Sequence, residues 1–218
     1  MILFLLSIIS GYSIGLAALI GLIRFKRIHR SYQPFIFICV LALLNESLSN
    51  FSAYLFQNNN INFNIYILLE SVLYLVLFKR WGHFSNKRRT YVFTLIFLFA
   101  TWIFDNLVWH RITDPNSLFL ALYSFTLVFL ALNEINIIVM TRRGNLLKDS
   151  RFLICVSLVI FYTYAATISI FDLLQLNFST QFYSYVYIVL QVVNFFINLV
   201  FTLAILWAPK KLRFILHF

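Results

Sequence analysis

The sequence is poor in charge, and above all in negative charge. Only 11% of its 218 residues are charged, and acidic residues number 7 against 17 basic ones. A soluble domain carries about 25% charged residues and is nearer half apolar. This chain is 62% hydrophobic, which excludes an ordinary soluble domain and points to a lipid environment.

Proline, glycine and cysteine are also scarce. The three prolines, Pro34, Pro115 and Pro209, all fall at the ends of apolar runs, so no proline is expected to break a helix. The two cysteines, Cys39 and Cys155, lie within apolar runs. We expect them to be small buried side chains, because neither a disulfide framework nor a CxxC pair is present.

Catalytic and cofactor motifs are missing as well. The sequence has no P-loop, no dinucleotide-binding glycine fingerprint and no GxSxG elbow. Its histidines lie near segment ends on both sides, so we expect no zinc site within the membrane. No lysine lies in the middle of the last apolar run, which excludes a retinal Schiff base. We therefore expect no metal, no cofactor and no catalytic residue, and an intramembrane enzyme ranks last among the functions considered.

Long apolar runs are what the sequence has in abundance. Each is long enough for a membrane helix of about 20 residues, and a backbone in hydrocarbon must satisfy its own hydrogen bonds. The first run is too long for a cleaved signal peptide, so we read it as a permanent helix. The pattern predicts an all-α, seven-transmembrane-helix bundle with a single domain over residues 1–218. The predicted segments 1 to 7 are Ile2–Ile23, Pro34–Gln57, Ile61–Phe78, Thr90–Val108, Ser117–Met140, Arg151–Leu173 and Gln181–Trp207.

The basic residues predict the orientation. All except Arg111 fall into the loops after segments 1, 3 and 5 or into the C-terminal tail. The positive-inside rule therefore places the N-terminus outside and the C-terminus in the cytoplasm, in a multi-pass protein of the inner membrane. Basic residues in such loops contact anionic lipid headgroups, which argues against nucleic acid as a partner. The clusters are Arg24, Lys26, Arg27 and Arg30; Lys79, Arg80, Lys87, Arg88 and Arg89; Arg142, Arg143, Lys148 and Arg151; and Lys210, Lys211 and Arg213.

Two short matches raise the question of an internal repeat. Residues 38–40 and 154–156 both read Ile-Cys-Val, and residues 66–70 resemble residues 187–191. The matches fit a 3+1+3 parallel repeat of the kind found in small transporters. They also fit chance, because so few residue types make up the chain.

Five of the seven acidic residues lie within predicted helices: Glu46, Glu70, Asp105, Glu134 and Asp172. An acid at mid-membrane costs about 2.5–3.5 kcal/mol even on the mild insertion scale, so Glu46 and Glu70 are expected to face the interior. Asp105 and Asp172 lie near the outer boundary, where they are expected to reach interfacial water. Asp114-Pro115-Asn116 predicts a turn, with Ser117 as the N-cap of segment 5.

Polar residues recur at helical spacing on several segments and predict a shared polar interior. Segment 2 carries such a stripe around Glu46, segment 3 one around Glu70, and segment 7 one from Ser184 through Tyr187 to Thr202. Segments 5 and 6 add single polar residues, Tyr123 and Tyr162 among them. The predicted ligand- or ion-binding residues are Asn45, Glu46, Asn50, Tyr66, Glu70, Asn133, Glu134, Gln191 and Asn194.

Glu46 and Glu70 have no lysine, arginine or histidine in any helix centre with which to pair. Either they are neutral carboxyls that hydrogen-bond neighbouring helices, or they bind a cation or cationic ligand, or they line a wet cavity. Gly11 and Gly15 form a GxxxG pattern on segment 1. This pattern favours close packing within the bundle over a homodimer face.

The basic loop after segment 1, the Asn45-Glu46 pair and the Asn62/Tyr66/Glu70 stripe together resemble small seven-helix integral membrane proteins of bacteria. That resemblance spans the chain and implies the fold, but no particular activity. The topology is also similar to SWEET-type and rhodopsin-type bundles. The proline-glutamine signature of the former and the lysine of the latter are absent.

Two functions follow as hypotheses. The first is a receptor-like bundle that senses a small ligand or ion in its polar interior and signals to a cytoplasmic partner. The second is a transporter for a small solute, coupled to protons or cations, which the unpaired carboxylates and the repeat would suit. The lipid bilayer is a partner in both.

Overall fold

A computed structural model of the chain describes residues 2–85, 87–141, 144–176 and 178–211. Over these residues the protein is all-α, and seven segments are long and apolar enough to cross a membrane, which confirms the predicted helices and their number. Three of the basic residues, Arg142, Arg143 and Arg213, lie outside the described residues. The helices are Ile2–Tyr12 with Ile14–Arg24 (segment 1), Gln33–Phe56 (2), Asn60–Arg80 (3), Arg88–Ile103 (4), Ser117–Thr141 (5), Ser150–Leu173 (6) and Thr180–Trp207 (7).

The predicted single helix of segment 1 is interrupted at Ser13. The Ser13 N–H is shared between the carbonyls of Ile9 and Ser10, at 3.1 and 3.3 Å, and Leu16 N–H bonds Ser13 O at 3.3 Å. The helix is therefore tightened locally to a three-residue step. Ser13 keeps helical dihedral angles (φ −59°, ψ −27°), so the segment remains helical in course.

Segment 4 ends in a π-helical turn, Phe104–Trp109, where an uninterrupted α-helix to Val108 was predicted. The N–H of His110 bonds the carbonyl of Asp105 at 3.0 Å, which is the i to i+5 spacing of a π-turn. Insertions of this kind are frequent at functional or tightly constrained sites. Here the turn places Asp105 and Asn106 inside the bundle, where both are buried.

Consecutive segments pack as neighbours, and segment 7 packs against both parts of segment 1 to close a ring. Segments 5 and 6 share the most extensive contact. Segment 4 is peripheral: in its apolar membrane-spanning stretch 17% of the residues are buried, against 44% in segments 3 and 6. Segments 3 and 6 are therefore the most buried of the seven.

The loops after segments 1, 3 and 5 and the chain after segment 7 meet at one end of the bundle, which we call the basic end. Arg24 Nη1 donates to Ile205 O at 2.7 Å, and Arg80 Nη1 donates to Arg30 O at 2.9 Å. His29 N–H bonds Pro209 O at 2.9 Å. Basic side chains thus satisfy carbonyls at helix ends. The membrane orientation and the internal repeat stay predictions.

The glycines of segment 1 allow segment 2 to approach closely. A Cβ on Gly11 would overlap the Glu46 carboxylate, and one on Gly15 would touch Leu43 Cδ1 at 3.5 Å. The GxxxG pattern thus makes a contact within the bundle, as expected from small residues at helix interfaces.

We expect Gly21→Ala to destabilise the bundle and Gly15→Ala to stabilise it. Both changes gain up to about 1 kcal/mol of helix propensity. At Gly21 the new Cβ would lie 2.9 Å from Cγ2 of the buried Ile36, an overlap that costs about 1–3 kcal/mol. Thermal unfolding in one detergent should separate the two variants by about 1–2 kcal/mol. Equal stabilities would contradict the packing of segment 1 on segment 2.

Candidate functional site

The carboxyl group of Glu70 is the centre of a hydrogen-bonded cluster of side chains in the bundle interior. Tyr66 OH donates to Glu70 Oε1 at 2.6 Å. Tyr162 OH and Tyr123 OH donate to Glu70 Oε2 at 2.8 and 3.1 Å. The two latter hydroxyls are themselves 3.3 Å apart. Segments 3, 5 and 6 therefore meet at one carboxyl group. We call Glu70, Tyr66, Tyr123 and Tyr162 the tyrosine cluster.

Helical spacing and aromatic packing hold the cluster in place. Tyr66 stands one turn before Glu70 on the same face of segment 3, and Tyr74 stands one turn after it. The rings of Tyr74 and Tyr123 both pack edge-on against Tyr162, with centroids 6.1 and 5.3 Å apart. Phe119 stacks on Tyr123 at 5.8 Å. The hydroxyls of Tyr123 and Tyr162 are thus held in position by packed rings.

Three of the four residues of the tyrosine cluster are buried, and Tyr66 is half-buried. Glu70 is 7% exposed, Tyr162 3% and Tyr123 0%. Within the described part of the chain no basic side chain pairs with Glu70, so three hydroxyl dipoles take the place of a counter-ion. Of the roles expected for Glu70, the geometry shows the interhelical one, in which every carboxyl oxygen is hydrogen-bonded.

Glu46 lies elsewhere, at the contact between segments 1 and 2. Its carboxylate abuts Gly11, and it is only partly buried. It has no hydrogen-bond or ion-pair partner among the residues described here.

The amide residues predicted on segment 2 fall into two groups. Asn45 is buried, and it accepts a hydrogen bond from Asn62 Nδ2 at 2.8 Å; the same amide donates to Ser49 Oγ at 2.8 Å. These bonds join segments 2 and 3. Asn50 is exposed, and its Nδ2 donates to Tyr12 OH at 3.4 Å, so its predicted inward position is wrong.

The polar stripe of segment 7 joins that segment to segment 1. Asn194 Nδ2 donates to Ser10 Oγ at 3.0 Å, and Ser10 Oγ donates to the backbone carbonyl of Gln191 at 2.7 Å. Asn198 Nδ2 donates to Ser13 Oγ at 2.9 Å. The interruption at Ser13 thus sits where two asparagines of segment 7 hold segment 1. Tyr187 is 45% exposed, so the stripe does not face inward over its whole length.

Glu134 has basic partners that the sequence analysis did not assign. Its side chain is 4% exposed; Oε1 lies 3.5 Å from Arg151 Nη1, and Oε2 lies 3.8 Å from His83 Nδ1. Arg151 also lies over the Trp81 ring, 5.5 Å from its centroid. Asn133, predicted to face the interior, is exposed and reaches His83 Nδ1 at 3.5 Å. Arg151 was treated as a topology signal, which concealed this pairing.

Asp105 is fully buried, so its predicted contact with interfacial water is wrong. Its Oδ2 accepts the Phe119 N–H at 2.7 Å, and its Oδ1 lies 3.1 Å from His110 Nδ1. The helix of segment 5 begins at Ser117 itself, and a carboxylate from segment 4 caps it in place of the predicted Ser117 N-cap. Asp172, by contrast, is exposed as expected.

The predicted binding residues therefore form separate groups. Tyr66 and Glu70 meet in the tyrosine cluster, whereas Glu134 stands eleven residues beyond Tyr123 on segment 5, about 16 Å along the helix axis. Asn45 lies between segments 2 and 3, and Gln191 and Asn194 lie between segments 1 and 7. No group of three His, Cys, Asp or Glu residues that could hold a metal occurs in the described ranges.

Comparison with protein-family models, with curated proteins and with solved structures finds no match to this chain. The functional argument therefore rests on the geometry of the chain's own residues.

Proposed function

We propose that this multi-pass membrane protein is a receptor-like bundle that senses an ion, and that the ion is the proton, taken up by Glu70 in the tyrosine cluster. The observation that carries the proposal is the set of three tyrosyl hydroxyls, from three segments, on one buried carboxyl group that has no basic partner among the described residues.

The two protonation states of Glu70 require different hydrogen bonds. An ionised carboxylate accepts only, so all three hydroxyls donate to it. A protonated carboxyl group becomes a donor at one oxygen. If that oxygen is Oε2, Glu70 donates to Tyr123 or Tyr162, and that hydroxyl is free to donate to the other across their 3.3 Å separation. Hydrogen bonds in such a low-dielectric network are coupled, so one proton changes the attachment of segment 3 to segments 5 and 6.

Segments 5 and 6 connect the cluster to the basic end. They pack on each other along their lengths, and they carry the Glu134–Arg151 pair close to that end. The positive-inside rule places the basic end in the cytoplasm. A cleft of ≈ 350 Å³ opens there. We propose that a cytoplasmic partner binds at this cleft and responds to its shape. Its lining includes Tyr32, Asn145, Lys148 and Trp207.

Distance measurements between spin labels test the proposal. Labels at Ile23→Cys and Leu147→Cys, positions that are 80% and 64% exposed, report the spacing of segment 1 and the loop before segment 6. We expect the distance distribution to change between neutral and acidic pH, and to be fixed in Glu70→Gln, which cannot change charge. Glu46→Gln is the matched control and should keep the response. A distribution that ignores pH, or that responds equally in Glu70→Gln, would overturn the proposal.

A proton- or cation-coupled transporter is the second candidate, and Glu46 favours it. This carboxylate has no partner in the described part of the chain, and it lies against segment 1 near the interruption at Ser13. Transporters place binding sites at interrupted helices. The test is proton or solute flux in liposomes: flux that Glu46→Gln abolishes while the spin-label response stays absent would select transport over sensing.

A further inference from the structure

A groove of ≈ 290 Å³ lies on the outer surface between segments 4 and 5. Its walls include Phe93 and Phe97 on segment 4 and Phe129 on segment 5. These rings are 70%, 40% and 70% exposed, so the groove faces the membrane rather than the bundle interior. It is separate from the tyrosine cluster and from every residue of the proposed sensing centre.

The groove changes from polar to apolar along its length. Lys87 and His83 line it at the basic end, just before segment 4 begins at Arg88. Phe97 lies ten residues after Lys87, about 15 Å deeper along the helix. That depth is about half of the ~30 Å hydrocarbon core. A lipid with its headgroup at the basic end would therefore lay the upper half of an acyl chain along the phenylalanines.

Two of the three threonines that line the groove do not make it polar. Thr94 Oγ1 donates to Thr90 O at 2.9 Å, and Thr126 Oγ1 donates to Leu122 O at 2.8 Å. Because each of these two hydroxyls donates to a carbonyl of its own helix, neither needs a hydrogen-bond acceptor from a bound molecule. The groove beyond Thr90 is therefore suited to hydrocarbon.

The charge at its mouth is positive and unneutralised. Lys87 is exposed and pairs with no carboxylate of the described chain, and Arg88 follows it directly. Glu134, the acid of segment 5 near this end, is already engaged by Arg151 and His83. The mouth thus offers the Lys87 ammonium group to an anion at headgroup depth.

We propose that this groove binds one anionic phospholipid. The phosphate lies by Lys87 and His83, and one acyl chain lies against Phe93, Phe97 and Phe129. The light contact of segment 4 with its neighbours leaves the space for the chain, and the basic mouth selects the headgroup. The bound lipid would extend the apolar contact of segment 4 with segment 5.

Native mass spectrometry of the full chain tests this, after delipidation and addition of phosphatidylglycerol or phosphatidylcholine. We expect one phosphatidylglycerol to bind in preference to phosphatidylcholine. Lys87→Gln should weaken the binding of phosphatidylglycerol about fivefold. This factor corresponds to the roughly 1 kcal/mol that one basic residue contributes near an anionic surface. The same change should leave the binding of phosphatidylcholine unchanged.

Lys26→Gln is the matched control, because Lys26 is an exposed lysine of the basic end that does not line the groove. Equal losses for Lys87→Gln and Lys26→Gln would overturn the proposal, since they would mean a diffuse attraction of lipid to the whole basic end. Thr126→Trp, which fills the groove, should reduce binding of both lipids. Undiminished binding by folded Thr126→Trp would also overturn the assigned position.

Discussion

Glu70→Ala is expected to destabilise the bundle by about 2–4 kcal/mol. The change removes the carboxyl acceptor of three tyrosyl hydroxyls that are bonded to it at 2.6, 2.8 and 3.1 Å. A single interhelical hydrogen bond in a membrane protein contributes about 0.6 kcal/mol on average and up to about 1.7 kcal/mol. Here three are lost together, and buried hydroxyls without partners add a desolvation cost. Thermal unfolding in detergent, or reversible unfolding in bicelles, measures the difference.

Two comparisons separate the hydrogen-bonding role of Glu70 from a general effect of losing an acid. Glu70→Gln keeps one oxygen acceptor and the shape of the side chain, so it should lose about half as much stability as the alanine variant. Glu46→Ala removes an acid that has no partner among the described residues, and it should cost less than about 1 kcal/mol. If Glu70→Ala were as stable as Glu46→Ala, the tyrosine cluster would not hold segments 3, 5 and 6 together.

Asp105→Ala is expected to cost about 3 kcal/mol. Asp105 is fully buried, and its two oxygens serve two different elements: Phe119 N–H at the start of segment 5, and His110 in the preceding loop. Hydrogen bonds to a charged group contribute about 1.5–3 kcal/mol each. Their removal leaves the first turn of segment 5 without this cap. Unfolding in detergent measures the loss, and hydrogen exchange of residues 110–119 should become faster.

Asp172→Ala serves as the control for Asp105. Asp172 also lies near the end of a membrane segment, but it is exposed, and its change should stay within about 0.5 kcal/mol. Asp105→Asn retains an acceptor for the Phe119 N–H, so its loss of stability should fall between those of Asp105→Ala and Asp172→Ala. Unchanged hydrogen exchange in residues 110–119 of Asp105→Ala would show that the carboxylate does not hold this end of the bundle.

The helices followed from the sequence because apolar length and backbone hydrogen bonding leave few choices in a membrane. Outside the two interruptions, the observed helix ends fall within two residues of the predicted ones. Ser13 and the π-turn at Phe104–Trp109 were not predicted. Each depends on a polar group of another segment: Asn198 contacts Ser13, and Phe119 N–H contacts Asp105. No periodicity within one segment carries that information.

The site was predicted in part. Tyr66 and Glu70 share a helix face, so their contact could be predicted from four-residue spacing. Tyr123 and Tyr162 were recognised as polar residues in apolar helices, but nothing in their own segments indicated that both would meet Glu70. Glu134 was predicted to bind a ligand or an ion, and its ion pair was not predicted, because Arg151 stands seventeen residues later, across a loop.

The sequence by itself determined the number of segments, their lengths and the division of basic residues between the two ends. These properties depend on hydrocarbon thickness and on the cost of charge in lipid, which act on each segment separately. Only the tertiary structure decided which acids are paired and which hydroxyls surround Glu70. Those contacts depend on how seven similar apolar cylinders are rotated against one another, and that rotation is set by packing between segments, not by any one of them.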